Sequence, residues 1–158
     1  MAKKEVKTNV MRVLDSKKIP YNHYTYDNTI VNGAQVAAEL GKEAGCVFKT
    51  LVTVGKSGEH YVFMVPVEEE LDLKKAAKAA GEKSIEMIAQ KQLLPLTGYI
   101  HGGCSPIGMK KVFKTTAHIS ALDFDTIIFS AGKVGFQVEV APRDLENVIP
   151  LGFADIIK

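Results

Sequence analysis

The order of apolar patterns along the chain predicts an α/β (mixed α+β) fold built round a mixed, strongly curved sheet flanked by helices. Helix-spaced and strand-spaced segments alternate in the first half, whereas short apolar runs separated by glycine turns dominate the second. Neither an all-parallel sheet nor an all-β sandwich accommodates both halves. The 158 residues, 46% of them hydrophobic, suffice for a single domain, 1–158, with a substantial core.

Val6, Val10, Val13 and Leu14 recur at helical spacing among Lys3, Lys4, Lys7, Arg12, Lys17 and Lys18, the pattern of an amphipathic helix with a basic outer face. Pro20 ends it by disfavouring the α region at Ile19, and residues 21–26 then alternate aromatic and polar side chains as a strand does. A short helix is expected over 34–40, capped by Asn32 and closed by Gly41. Residues 46–54 form a nearly continuous apolar run, the pattern of a strand buried on both faces, with Lys49 as its anomaly. The turn Gly55-Lys56-Ser57-Gly58 returns the chain as a second strand over 60–65. Asp72 is placed to cap a helix over 73–80 that Gly81 terminates. A weaker helical stretch follows over 85–94, where the pattern also fits a strand followed by a helix, and Pro95 closes it. Residues 98–101 read as a strand, with further strands at 112–117, 126–130 and 136–140; Pro142 then opens a terminal helix through 148.

Composition narrows the function classes. No apolar run approaches the roughly 18 residues needed to span a bilayer, so no membrane association is expected. Cys46 and Cys104 have no Cys-x-x-Cys spacing and the start of the chain has no secretory pattern, which points to the cytoplasm. A net charge of +2 permits a polyanionic partner without requiring one. Nucleotide-binding glycine patterns are absent, so ATP, GTP and NAD are poor candidates and no cofactor is expected. His23, His60, His101 and His118 have no metal-ligand spacing with the cysteines, and no metal site is expected.

The stretch with most chemical content is Gly102-Gly103-Cys104-Ser105-Pro106-Ile107-Gly108. Its glycines free the backbone and Pro106 fixes its own φ, a combination that presents bare amides to an anion or an ester carbonyl; it also suits a plain turn. Ser105 has no nucleophile elbow around it, and Cys104 has no visible base, which leaves it an ordinary loop residue. Lys49, inside an apolar strand, either snorkels over apolar surface or brings its ammonium to a carboxylate or phosphate at a cleft. Ser130 reads as a turn residue or a donor facing a pocket, and Tyr26 as a half-buried strand aromatic or a substrate contact.

Phe48-Lys49-Thr50-Leu51, Leu73-Lys74-Lys75-Ala76-Ala77-Lys78, Thr97-Gly98-Tyr99 with Gly102-Gly103-x-Ser105-Pro106-x-Gly108, and Val138-Glu139-Val140-Ala141-Pro142-x-Asp144-Leu145 occur in this order. Together they resemble the YbaK family of aminoacyl-tRNA deacylases, related to the editing domain of prolyl-tRNA synthetase, over nearly the whole chain. The resemblance implies that family's barrel-like sheet and a trans-editing activity that removes cysteine from Cys-tRNA(Pro), and from Cys-tRNA(Cys), with the substrate thiol as nucleophile. It implies mischarged tRNA(Pro) and prolyl-tRNA synthetase as partners, and a monomer or weak oligomer. Lys49, Gly102 and Gly103 take the catalytic positions by this similarity, and Tyr26, Thr50, Ser105, Pro106 and Ser130 the substrate-binding ones. Lys74, Lys75, Lys78, Lys110, Lys111 and Lys114 are either acceptor-stem contacts or a solvated face. Asn32 stands where family members carry an aromatic residue, and Gln137 where a small or acidic polar residue is expected, which bears on the amino acid preferred. A deacylase for Ala-, Ser- or Thr-tRNA using water, and a non-catalytic tRNA or synthetase adaptor, are the alternatives.

Overall fold

The computed structural model describes residues 7–27, 29–30 and 33–158; the expected helical residue Val6 and the expected cap Asn32 lie outside them. Helix α1 (Asn9–Ser16) starts where the Thr8 side chain accepts from the Met11 amide and buries Val10, Met11 and Leu14. Strand β1 (Asn22–Thr25) and helix α2 (Gly33–Glu39) follow, and a 3-10 turn at Ala44–Cys46 leads into the hairpin β2 (Phe48–Gly55) and β3 (His60–Pro66). Asp72 caps α3 (Leu73–Ala80) by accepting from the Lys74 and Lys75 amides, and Gly81 ends it in the left-handed conformation that a Cβ would penalise. The chain continues through β4 (Ile85–Met87), α4 (Leu93–Thr97), β5 (Thr115–His118), β6 (Ile127–Ser130), β7 (Phe136–Val140), α5 (Pro142–Leu145) and β8 (Leu151–Ala154).

Five strands pair in the order β4-β2-β3-β5-β8, antiparallel as far as β3 and parallel beyond it; three more pair antiparallel as β1-β7-β6. A parallel bridge between Val47 and Ile128 joins the two sheets. The arrangement is mixed and barrel-like, but among the described residues the two sheets do not close into one ring.

Alternation along the strands sorts the packing. Val62 and Met64 of β3, with Ile127 and Phe129 of β6, face a core shared with α1. Phe63 and Val65 point the opposite way, onto Ala76 and Ala77 of α3. Ile128 faces outward from the smaller sheet and packs with Val47 and with Ala37 of α2. The edge strand β1 is braced from β7: one Glu139 oxygen accepts from Asn22 Nδ2 at 3.1 Å and Tyr24 Oη at 2.7 Å, and the other from Thr126 Oγ1 at 2.8 Å.

Four expectations need correction. The 85–94 stretch is not one helix: β4 occupies its start, a 3-10 turn its middle, and α4 begins at Leu93 with Pro95 in its first turn, where the missing N–H costs nothing. Residues 98–101 are not a strand, because Gly98 caps α4 with φ 87° and Tyr99 is pinned by its hydroxyl, which donates to the Ile107 carbonyl at 2.5 Å. The strand after the glycine loop starts at Thr115, since Val112 is 82% exposed and has nothing to pair with in either sheet. The terminal helix stops at Leu145, and β8, which sequence reading does not anticipate, pairs parallel with β5.

His118 closes β5 and is 8% exposed; its Nδ1 accepts from the Ile156 amide at 3.3 Å, which requires an unprotonated Nδ1. Burial pushes its pKa below the ordinary histidine range, against an opposing pull from Asp155. The unfolded chain therefore takes up the proton first as pH falls through about 6.5, and stability present above that value is lost below it. Urea melts between about pH 5 and 8 should show this loss. His118→Asn, which keeps an acceptor at the Nδ1 position, should flatten the slope; an unchanged slope would remove His118 as its source.

Candidate active site

The cavity opens where the two sheets meet, beside the Val47–Ile128 bridge, and has a volume of about 370 Å³, within the ordinary range for small-ligand sites. Val47 and the first half of β2, Phe48 to Leu51, line it, α2 supplies Gly33 and Val36, and the smaller sheet supplies Ser130 and Gln137. Its remaining described wall comes from Tyr26, Ile30, Val67, Leu93, Val134 and the loop residues His101, Gly102 and Cys104.

Five of the eight residues expected at a site, Tyr26, Lys49, Thr50, Gly102 and Ser130, line this one space. Lys49 lies opposite Val65 in the β2–β3 ladder, half-buried, and pairs with no carboxylate among the described residues. Thr50 Oγ1 is buried without a hydrogen-bond partner among the described residues. Ser130 Oγ accepts from the Gly132 amide at 3.2 Å, which leaves its own proton to donate. Tyr26 is held at the end of β1 by its amide, which donates to the Gly135 carbonyl at 2.9 Å. Gln137 sits between Ser130 and Tyr24 in the β6-β7-β1 register.

Gly103, Ser105 and Pro106 lie behind the wall and shape it. The Gly103 amide is occupied, donating to the Ile100 carbonyl at 3.0 Å, and a Cβ there would press on the Val134 backbone nitrogen at 3.1 Å. Ser105 and Pro106 are buried, and Ser105 Oγ accepts from the Ile107 amide at 3.3 Å. Gly102, with φ 87°, sits at the turn so made, in a conformation that side chains rarely adopt. Its amide, like those of His101 and Cys104 beside it, has no acceptor among the described residues.

The electrostatics are lopsided. No described residue of the lining is an Asp or a Glu, so no carboxylate stands ready as a base. The thiol in the wall, Cys104, has its pKa pushed up to about 12 by burial, so it is neither a nucleophile nor an acceptor of protons near neutrality. Of the lysines weighed for the acceptor stem, Lys75 is spent on Asp155 at 3.1 Å and the Ile157 carbonyl at 2.8 Å, and Lys114 reaches the Ala79 carbonyl at 3.5 Å.

Sequence reading overlooks Gly33 and Val67 as cavity residues. A Cβ on Gly33 would meet Val67 at 2.7 Å, so the glycine lets α2 approach the end of β3; no local pattern reports such a tertiary contact.

The aminoacyl-tRNA editing domain family matches residues 28–148, most of the chain and nearly all of the cavity wall. The chain belongs to this family. Within it, a curated relative from Enterococcus faecalis, named "Putative Cys-tRNA(Pro)/Cys-tRNA(Cys) deacylase EbsC", is 47% identical, the match covering 99% of this chain and 98% of the relative. Solved structures support the same editing-domain fold. One described as a candidate trans-editing enzyme for prolyl-tRNA synthetase matches with a TM-score of 0.83 at 21% identity, over 97% of this chain and 99% of the other. The hypothetical protein APE2540 matches with a TM-score of 0.86 at 20% identity, over 94% of this chain and 99% of that one.

Thr50 provides a test of site against scaffold. A buried hydroxyl without a partner costs roughly 1–3 kcal/mol, so Thr50→Val should melt at the same temperature as the parent protein or higher. It should at the same time weaken whatever ligand supplies the missing partner. A lowered melting temperature would show that the hydroxyl is already satisfied in the folded protein.

Proposed function

We propose that the protein is a trans-editing deacylase that removes cysteine from mischarged Cys-tRNA(Pro), and from Cys-tRNA(Cys), by letting the substrate thiol cleave its own ester. The observation that carries this reading is the cavity's chemistry: a lysine and a bare amide at its wall, no carboxylate in its described lining, and a wall thiol held protonated. Such a site can orient and stabilise charge; the reading gives no base role to His101, the exposed imidazole of the wall, so that neither water nor a serine hydroxyl is activated. The name of the Enterococcus faecalis relative supplies the tRNA class.

In the reaction, the sulfur of the substrate cysteine attacks the carbonyl carbon of the same residue. The bond from that carbon to the ribose oxygen breaks, the thiol proton ends on the ribose oxygen by way of solvent, and the products are a free tRNA 3′ end and a four-membered thiolactone. Because thiol and ester belong to one molecule, the site needs to supply orientation and charge stabilisation and no nucleophile of its own. The Gly102 amide donates to the developing oxyanion, and Lys49 meets an acceptor-end phosphate. Tyr26, Thr50 and Ser130 fix the aminoacyl group, while Gly103, Ser105 and Pro106 hold Gly102 in place. Selection of tRNA(Pro) comes from a complex with prolyl-tRNA synthetase in the cytoplasm, the deacylase itself being a monomer or weak oligomer.

Purified protein should release cysteine from Cys-tRNA(Pro) and leave Ser-tRNA(Pro) and Ala-tRNA(Pro) intact, because a hydroxyl is a far poorer nucleophile near neutral pH. Release of serine at a comparable rate would sink the thiol-assisted reading. Lys49→Ala should keep its fold by circular dichroism yet lose roughly 10- to 100-fold in kcat/KM, the worth of a hydrogen bond to a charged group. Full activity in that variant would return Lys49 to a snorkelling side chain.

A further inference from the structure

Charge is distributed unevenly along this chain. Residues 87–122 contain no Asp or Glu but include Lys91, Lys110, Lys111 and Lys114, whereas the whole chain carries only +2, so the remainder is net acidic by two charges. This carboxylate-free stretch includes α4 and the loop that walls the cavity, since Leu93, His101, Gly102 and Cys104 all line it.

The stretch is folded into one unit. The Lys110 amide donates to the Thr97 carbonyl at 3.1 Å, and the Lys110 stem lies 3.5 Å from the place a Cβ would take on Gly98. Tyr99 ties the same turn to Ile107 from beneath. On its outer side Leu94 is 52% and Ile100 55% exposed, each next in sequence to a cavity residue, Leu93 and His101. His101 is exposed as well. Lys91, Lys110 and Lys111 form no ion pair among the described residues, and Lys114 turns away to the Ala79 carbonyl at the end of α3. The other lysine cluster, on α3, follows Glu68-Glu69-Glu70 and Asp72, and its Lys75 is already paired with Asp155.

Resting on the deacylase reading, we infer that the face made by α4 and the 98–111 loop seats the acceptor end of the RNA: Lys91, Lys110 and Lys111 take backbone phosphates, and Leu94, Ile100 and the His101 ring receive the unpaired 3′ bases. A single-stranded RNA end offers both a phosphate line and apolar base faces, and this surface offers the complement of each beside the cavity mouth. The α3 lysines take no part.

Binding of a fluorescently labelled, uncharged acceptor-stem hairpin ending in unpaired CCA tests this without any turnover. Lys110→Ala/Lys111→Ala should weaken binding roughly tenfold and reduce the slope of log affinity against log salt by about one to two, as expected for lost phosphate contacts. Ile100→Ser should abolish the preference for the CCA-ended hairpin over a blunt one. Lys17→Ala/Lys56→Ala, remote surface changes, should leave binding as it was. Unchanged affinity in the Lys110/Lys111 variant, or a loss found instead in Lys74→Ala/Lys78→Ala, would overturn the assignment. So would a Lys110/Lys111 defect that appears only when prolyl-tRNA synthetase is present, which would give this face to a protein partner. Failure of the wild-type protein to release cysteine would count against the deacylase reading alone, because the hairpin measurement does not depend on it.

Discussion

Backbone N–H and C=O groups inside a protein must find partners, and a strand that begins in the interior has to borrow them from another element. The start of β2 does this through Val47, which bridges to Ile128 of the smaller sheet while both side chains are nearly fully buried. This one junction fixes how the two sheets meet. Lys49 and Thr50 follow Val47 by two and three residues, and Ser130 follows Ile128 by two, so the junction also fixes the distance across the cavity. The glycine loop is brought to the same place by α4 and by Tyr99, which is anchored from below. Slippage of the bridge by one residue would turn every one of these side chains to the opposite face.

The cavity achieves its character by subtraction. Apolar residues make most of its wall, the described lining holds no carboxylate, and burial keeps the Cys104 thiol from ionising. What remains includes an amide at Gly102, hydroxyls at Thr50 and Ser130 and an ammonium at Lys49, with the His101 imidazole and the Gln137 amide beside them. Donors held in place by a folded backbone need no reorganisation when charge develops before them. The surrounding loop spends part of its polar groups on itself, as Gly103 and Ser105 do, while the Gly102 amide keeps no acceptor among the described residues.

Much of this architecture is written locally. The Asp72 cap and the Gly81 stop mark α3, the Gly55–Gly58 turn marks the β2–β3 hairpin, and β6 and β7 stand out as apolar runs around a glycine turn. Lys49 is conspicuous because a charge interrupts an apolar strand. Features that depend on distant contacts are not legible in the same way. Strand β8 contains a glycine and owes its place to parallel pairing with β5, more than thirty residues away in sequence. Tyr99 reads as a strand residue until the Ile107 carbonyl is seen to hold it. The loop glycines look alike on paper, yet Gly102 faces the cavity and Gly103 supports the turn, a division made by the Ile100 carbonyl and the Val134 backbone.

Cys104 gives the wall one more property. Thiolates, far more than protonated thiols, attack disulfides and are open to oxidation. With burial pushing its pKa up to about 12, Cys104 presents far less thiolate near neutrality than an ordinary cysteine. The wall thereby resists oxidation and mixed-disulfide formation, so the burial that shapes the cavity also keeps its thiol inert.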